Sequence, residues 1–182
     1  MNAHRLFATA VCVASFSIYS GTLYALDSAR NEPASMRLAS DERAFMKEAA
    51  ASGAYQLATS KVALSQARSP EVKKLAAKFA QDYAEINSQL QKLAATKYYK
   101  LPETMSRAQQ KSLASLSARS DQGFDRDYVT EVGIDRLKGD IKAFESAASS
   151  SRDADLKAWA AKTVPVLQQH LTMVQSIRPT AN

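Results

Sequence analysis

Residues 69–95, SPEVKKLAAKFAQDYAEINSQLQKLAA, decide the fold. Ser69 is an N-cap residue, Pro70 suits the first helical position, and Glu71 complements the positive end of the helix. Val72, Leu75, Phe79, Tyr83, Ile86, Leu90 and Leu93 then recur at steps of three and four, which gathers them on one helical face. At 1.5 Å per residue the predicted helix is about 40 Å long. The phenol of Tyr83 stands at the centre of an otherwise apolar stripe.

Upstream, residues 40–68 predict a first helix. Ser40 is the expected N-cap, with Asp41 and Glu42 in the first turn and an inner stripe of Phe45, Ala49, Gly53, Gln56 or Leu57, Ser60 and Leu64. Its many Ala and Gly residues predict close approach to a neighbour. Only Arg68-Ser69 separates it from the second helix, so the two are expected to be antiparallel neighbours. Residues 26–40, with Pro33 and no periodicity, read as a flexible lead-in. Residues 1–25 have the anatomy of an export signal: basic His4-Arg5, an uncharged apolar run from Leu6, and a small residue at Ala25. Cleavage after Ala25 and a periplasmic location are expected. The alternative is a membrane anchor through residues 6–25, because that run approaches the length that spans a bilayer.

Downstream, Lys100-Leu101-Pro102 lies in a connector, and Ser106-Arg107-Ala108-Gln109 forms a capping box that opens a short helix across the bundle end. A third long helix is expected over 124–148, with Asp121 as its cap. Phe124, Tyr128 and Val132 share one face, and Ile134, Leu137, Ile141, Phe144 and Ala148 share another. The two faces do not coincide on an ideal helix, so a bulge or bend is expected near Gly133 or Gly139. A fourth helix over 153–177 turns Leu156, Trp159 or Ala160, Val164, Leu167, Leu171 and Val174 inward, and Pro165 is expected to kink it. The fold class is therefore all-α: an antiparallel four-helix bundle over 41–178, with a short extra helix between helices two and three.

Four strings in this order, 79–87 (FAQDYAEIN), 100–102 (KLP), 124–128 (FDRDY) and 156–171 (LKAWAAKTVPVLQQHL), resemble an exported bacterial family, domain of unknown function four-one-four-two. The resemblance covers about 41–177 and implies a ferritin-like bundle. It also implies an inward Glu on helix one, a His after the Asp of helix two, a His on helix three and a His after the proline of the last helix. This chain has Gln56 at the first position and Tyr83 at the second. Leu137, or Asp135 in a shifted register, stands at the third, and His170 remains at the fourth. A bundle metal pair needs about four carboxylates and two histidines from facing helices, which this set does not supply. A Tyr83–His170 hydrogen bond across the core is the expected use of those two groups. The candidate metal ligands are His170, Tyr83, Asp135 and Gln56, because phenolate and carboxylate oxygens suit a hard cation such as Fe(III).

The rest of the composition narrows function further. Cys12 is the single cysteine and leaves with the leader, as does His4, so thiol chemistry and a histidine zinc site are not expected. The net charge of +6 comes from scattered Lys and Arg without a run of like charge, which argues against a nucleic-acid partner. Asp82 with Glu85, and Asp125 with Asp127, read as solvated or capping carboxylates, and Tyr98-Tyr99 with Tyr128 as a surface aromatic patch. No phosphate loop or triad order is present. The expected protein is non-catalytic, without a cofactor, and acts structurally, in stress or through a protein partner, with peripheral envelope association as a further possibility. The alternative is a ferritin-like metal-binding or redox protein with an altered ligand set.

Overall fold

The side chain of Ser69 accepts from the backbone N–H groups of Glu71 and Val72 and starts α2 (Pro70–Thr96). These are the contacts that the sequence prescribes. The computed structural model describes residues 38–102, 105–119 and 123–177. The expected leader, most of the lead-in, the Asp121 cap and the tail beyond Ile177 lie outside the described residues. Around α2 stand α1 (Ser40–Gln66), α3 (Arg107–Ser117), α4 (Gly123–Asp127), α5 (Arg136–Ser150) and α6 (Ala154–Ser176). A wide-turn π segment, Tyr128–Asp135, joins α4 directly to α5. No strand occurs among the described residues.

Contacts at the helix ends fix the relative directions. Glu42, at the start of α1, accepts from the N–H groups of Ala39, Arg152 and Asp153, at 2.7, 2.8 and 2.9 Å. Lys97, just past α2, pairs with both Asp153 and Asp155 at the start of α6, at 2.7 Å each. The start of α1, the end of α2 and the start of α6 therefore share one end. At the other end Asp125 of α4 accepts from the N–H groups of Arg68 and Ser69 in the α1–α2 link. So α1 and α2 run antiparallel, as the short link requires. The N-cap of α1 is Ala39 and not Ser40. The Glu42 carboxylate satisfies the Ala39 N–H, which is the one half of a capping box that an alanine N-cap permits.

The apolar stripe of α2 is buried as its spacing dictates, with Ala94 taking the place of the half-buried Leu93. Each large apolar side chain so buried contributes roughly 1.5–3 kcal/mol. In contrast, α1 is covered on most sides between Ala49 and Ser60, while its expected core residue Leu64 is 41% exposed and Met46 and Ala63 are buried instead. Gly53 marks the closest approach: a Cβ there would stand 1.9 Å from Oδ1 of Asn87 on α2. The short α3 opens with the expected capping box between Ser106 and Gln109 and packs against α1, where the Ser117 carbonyl accepts from Gln66.

The expected bulge in the third long helix is the π segment. By widening the turn it joins the Phe124–Tyr128–Val132 face to Leu137, Phe144 and Ala147, all of them buried. Ile134 and Ile141, expected inside, are half-buried at the flank of that face. Gly133 lies inside the segment under Val174 of α6, which a Cβ would meet at 2.8 Å. Phe144 closes an aromatic cluster with Phe45 and Trp159, at ring separations of 5.1 and 5.2 Å. Along α6 the buried line passes through Thr163 and His170, with Val164 and Leu171 half-buried beside it. The helix continues through Pro165.

Candidate functional site

His170 is fully buried on α6, stacked on Phe79 of α2 with ring centroids 4.3 Å apart. Its Nε2 lies 2.7 Å from Oδ2 of Asp82, and Oδ1 of the same carboxylate accepts from Lys78 Nζ at 2.7 Å. Asp82 and Lys78 stand one turn apart on α2, so a surface lysine, a carboxylate and a buried imidazole form a line from solvent into the core. Burial raises the Asp82 pKa, but the hydrogen bonds from Lys78 and His170 outweigh it and hold the carboxyl below its usual range. Asp82 is thus an anion and accepts only, so His170 carries its proton on Nε2. Burial depresses the His170 pKa below the ordinary imidazole value, more than Asp82 can restore, and the ring stays neutral.

This arrangement corrects two expectations. Asp82 is not solvated: its side chain is 15% exposed and committed on both oxygens. The Tyr83–His170 hydrogen bond does not form: Asp82, adjacent in sequence, takes Nε2, and His170 Nδ1 and the Tyr83 hydroxyl each stay without a partner. Tyr83 stays beside the imidazole at a ring separation of 5.6 Å, its hydroxyl buried without a hydrogen-bond partner. Burial pushes the phenol pKa well up, with further contributions from Asp140 and Tyr128.

Gln56 of α1 is also fully buried and donates from Nε2 to the Val132 carbonyl of the π segment at 3.2 Å. Its Oε1 is unpaired, and the Gln56 side chain lies close enough to the Tyr83 phenol to lower its pKa a little against the effect of burial. One turn on, the Ser60 hydroxyl and the Tyr128 phenol are 3.2 Å apart. Tyr128 is wholly buried, so it takes no part in a surface aromatic patch, whereas Tyr98 is 74% exposed. Asp127, expected at a solvated or capping position, is buried and ion-paired with Arg119 and Arg126.

The four candidate ligands therefore separate. His170, Tyr83 and Gln56 are all buried, with Tyr83 next to each of the other two, while Asp135 at the end of the π segment is exposed. Leu137 fills the core position on that helix. The inward carboxylate from α5 is Asp140, which accepts from Ser52 Oγ at 2.7 and 2.9 Å. Among the described residues no group of three or more His, Cys, Asp or Glu side chains is placed to hold a metal ion. The sequence reading missed Asp82, Ser52 and Asp140 as members of the buried polar layer. A signal for Asp140 exists in the spacing Leu137, Asp140, Phe144, Ala147, which continues one face once the stripe is restarted after Gly133.

The chain matches the family model described as "Domain of unknown function (DUF4142)" over residues 27–177, most of its length, and belongs to that family. Among solved structures it is similar to the "Crystal structure of DUF305 fragment from Deinococcus radiodurans", with a TM-score of 0.67 at 14% identity. That match covers 76% of this chain and 95% of the other, a likeness of fold. No curated protein matches the sequence.

Proposed function

We propose that this member of the family is an exported, non-catalytic helical bundle whose buried polar layer serves to specify packing. The observation that carries this reading is the fate of His170. Its Nε2 is taken by an anionic Asp82, its face is covered by Phe79, and none of its surface meets solvent. A catalytic or metal-binding imidazole needs an accessible nitrogen and convergent partners. Here Gln56 donates to a backbone carbonyl, and the acidic candidate Asp135 faces outward. Export rests on the leader-like residues 1–25 alone. Among the described residues no helix is long and apolar enough to cross a membrane. N-terminal sequencing of the protein recovered from the periplasm tests export: a chain beginning near Leu26 supports it, and a cytosolic chain retaining Met1 contradicts it.

One observation favours a second reading, a metal-binding or redox bundle of ferritin-like type with an altered ligand set. His170 Nδ1, Tyr83 Oη and Gln56 Oε1 are three buried polar atoms without partners, on side chains of which Tyr83 neighbours both others. Ferric iron, a hard cation, suits the phenolate among them. Adding Fe(III) to the purified protein separates the readings. The structural reading predicts no visible tyrosinate-to-iron band. A band that is lost in Tyr83→Phe and His170→Ala establishes the metal reading.

A further inference from the structure

Two carboxylates, the buried Glu42 and the half-buried Asp140, meet opposite fates in this bundle. Glu42 accepts three backbone N–H groups and is fully satisfied. Asp140, set between α5 and α1, has the Ser52 hydroxyl as its hydrogen-bond donor among the described residues. One hydroxyl carries one proton, so it cannot satisfy both oxygens of an anion. Arg136, one turn earlier on α5, lies over the ring of Tyr55, 5.2 Å from its centroid, and its charge offsets only part of the effect of burial on Asp140. Glu48 adds negative potential from α1. From α2 the neighbouring group is the Tyr83 phenol, which stays protonated and contributes no cation. The buried titratable group of α6, His170, is neutral and bound to Asp82.

We propose that Asp140 is a proton-binding group in the α1–α5 interface, which draws the two helices together when protonated and loosens them when ionised. A carboxylic acid at this position donates a proton of its own and leaves no charge in the half-buried interface, so its environment favours the acid over the anion. In keeping with that geometry, burial pushes the Asp140 carboxyl from 3.8 up to about 6. A folded-state value raised in this way contributes stability that is complete below 3.8 and is lost as pH rises through about 6. The interface is therefore tighter in mild acid than at neutral pH, across a range where exposed carboxylates remain ionised.

Asp140→Asn keeps an acceptor for Ser52 and removes the charge. In the purified protein the folding equilibrium of the variant is expected to exceed that of the native chain on the order of a hundredfold at pH 7.5, shrinking to less than about tenfold at pH 4.5. An equal effect at both pH values overturns the proposal. Carbon-13 titration of the Asp140 carboxyl in the native chain supplies a test that does not depend on the variant folding. A midpoint near the raised value supports the proposal, and one at the ordinary aspartate value overturns it. Amide exchange over α5, corrected for intrinsic rates, should be faster at pH 7.5 than at pH 5 in the native chain and lose that difference in Asp140→Asn. Exchange that is still faster at pH 7.5 than at pH 5 after the substitution contradicts the assignment to Asp140.

Discussion

At the scale of single residues, Asp82 orders the centre of the molecule. It fixes the tautomer of His170 by accepting from Nε2, and Lys78 screens its outer oxygen at a 39% exposed position. The two partners differ in energetic weight. Asp82→Ala leaves a buried N–H unpaired and is expected to cost about 1–3 kcal/mol. Lys78→Ala removes a partly exposed pair one turn apart and is expected to cost no more than about 0.5 kcal/mol. Urea denaturation of the two variants checks the contrast, and equal losses would contradict it. The pair also shapes the acid limb. His170, lowered by burial, contributes stability that is complete above about 6.5 and falls away as pH drops below it. Asp82, lowered on balance, contributes stability that is complete above 3.8 and is lost through its folded-state value beneath that. In Asp140→Asn, which removes the opposing term, stability should fall steadily on acidification from pH 7. Glu42 gives a further residue-scale prediction. Glu42→Ala orphans three backbone N–H groups and should cost about 2–4 kcal/mol, against about 0.5 kcal/mol or less for the exposed Glu48→Ala.

At the scale of elements, α1 and the π segment hold the bundle in register. Gly53 lets Asn87 lie against the α1 backbone, so Gly53→Ala would put a Cβ 1.9 Å from Oδ1 and must displace the Asn87 side chain. The expected cost is about 1–3 kcal/mol, mostly recovered when Asn87→Ala is added. A double-mutant cycle measures this, and simple additivity would refute the contact. The elements were legible to very different degrees. In α2 the cap, the proline and the stripe all agree, so its start and buried face follow directly from residues 69–95. The buried face of α1 was harder to read, because a helix covered on most sides by α2, α3, α5 and the π segment has no single apolar stripe to reveal it. In the third long helix the mismatch between two stripes announced a defect near Gly133, but not that a wide turn would send Asp135 outward and Asp140 inward. That outcome depends on Gln56 holding the Val132 carbonyl and on Val174 filling the space over Gly133, contacts made by distant parts of the chain.

At the scale of the whole molecule, four long helices close over a layer of polar groups that no single helix explains. The fold was legible because stripes, caps and short links agree with one another, whereas pairing inside the layer was not. Tyr83 and Asp82 are adjacent on α2, and only packing decides which of them meets His170. The central claim is that His170 is a neutral, Asp-bound structural residue. Nitrogen-15 spectroscopy of its imidazole, assigned with His170→Gln, during addition of Fe, Mn and Zn tests that claim most directly. The account predicts a single neutral ring protonated at Nε2, unchanged at stoichiometric metal. A ring protonated at Nδ1, or one whose nitrogen signals shift or broaden at one equivalent of metal, would contradict it.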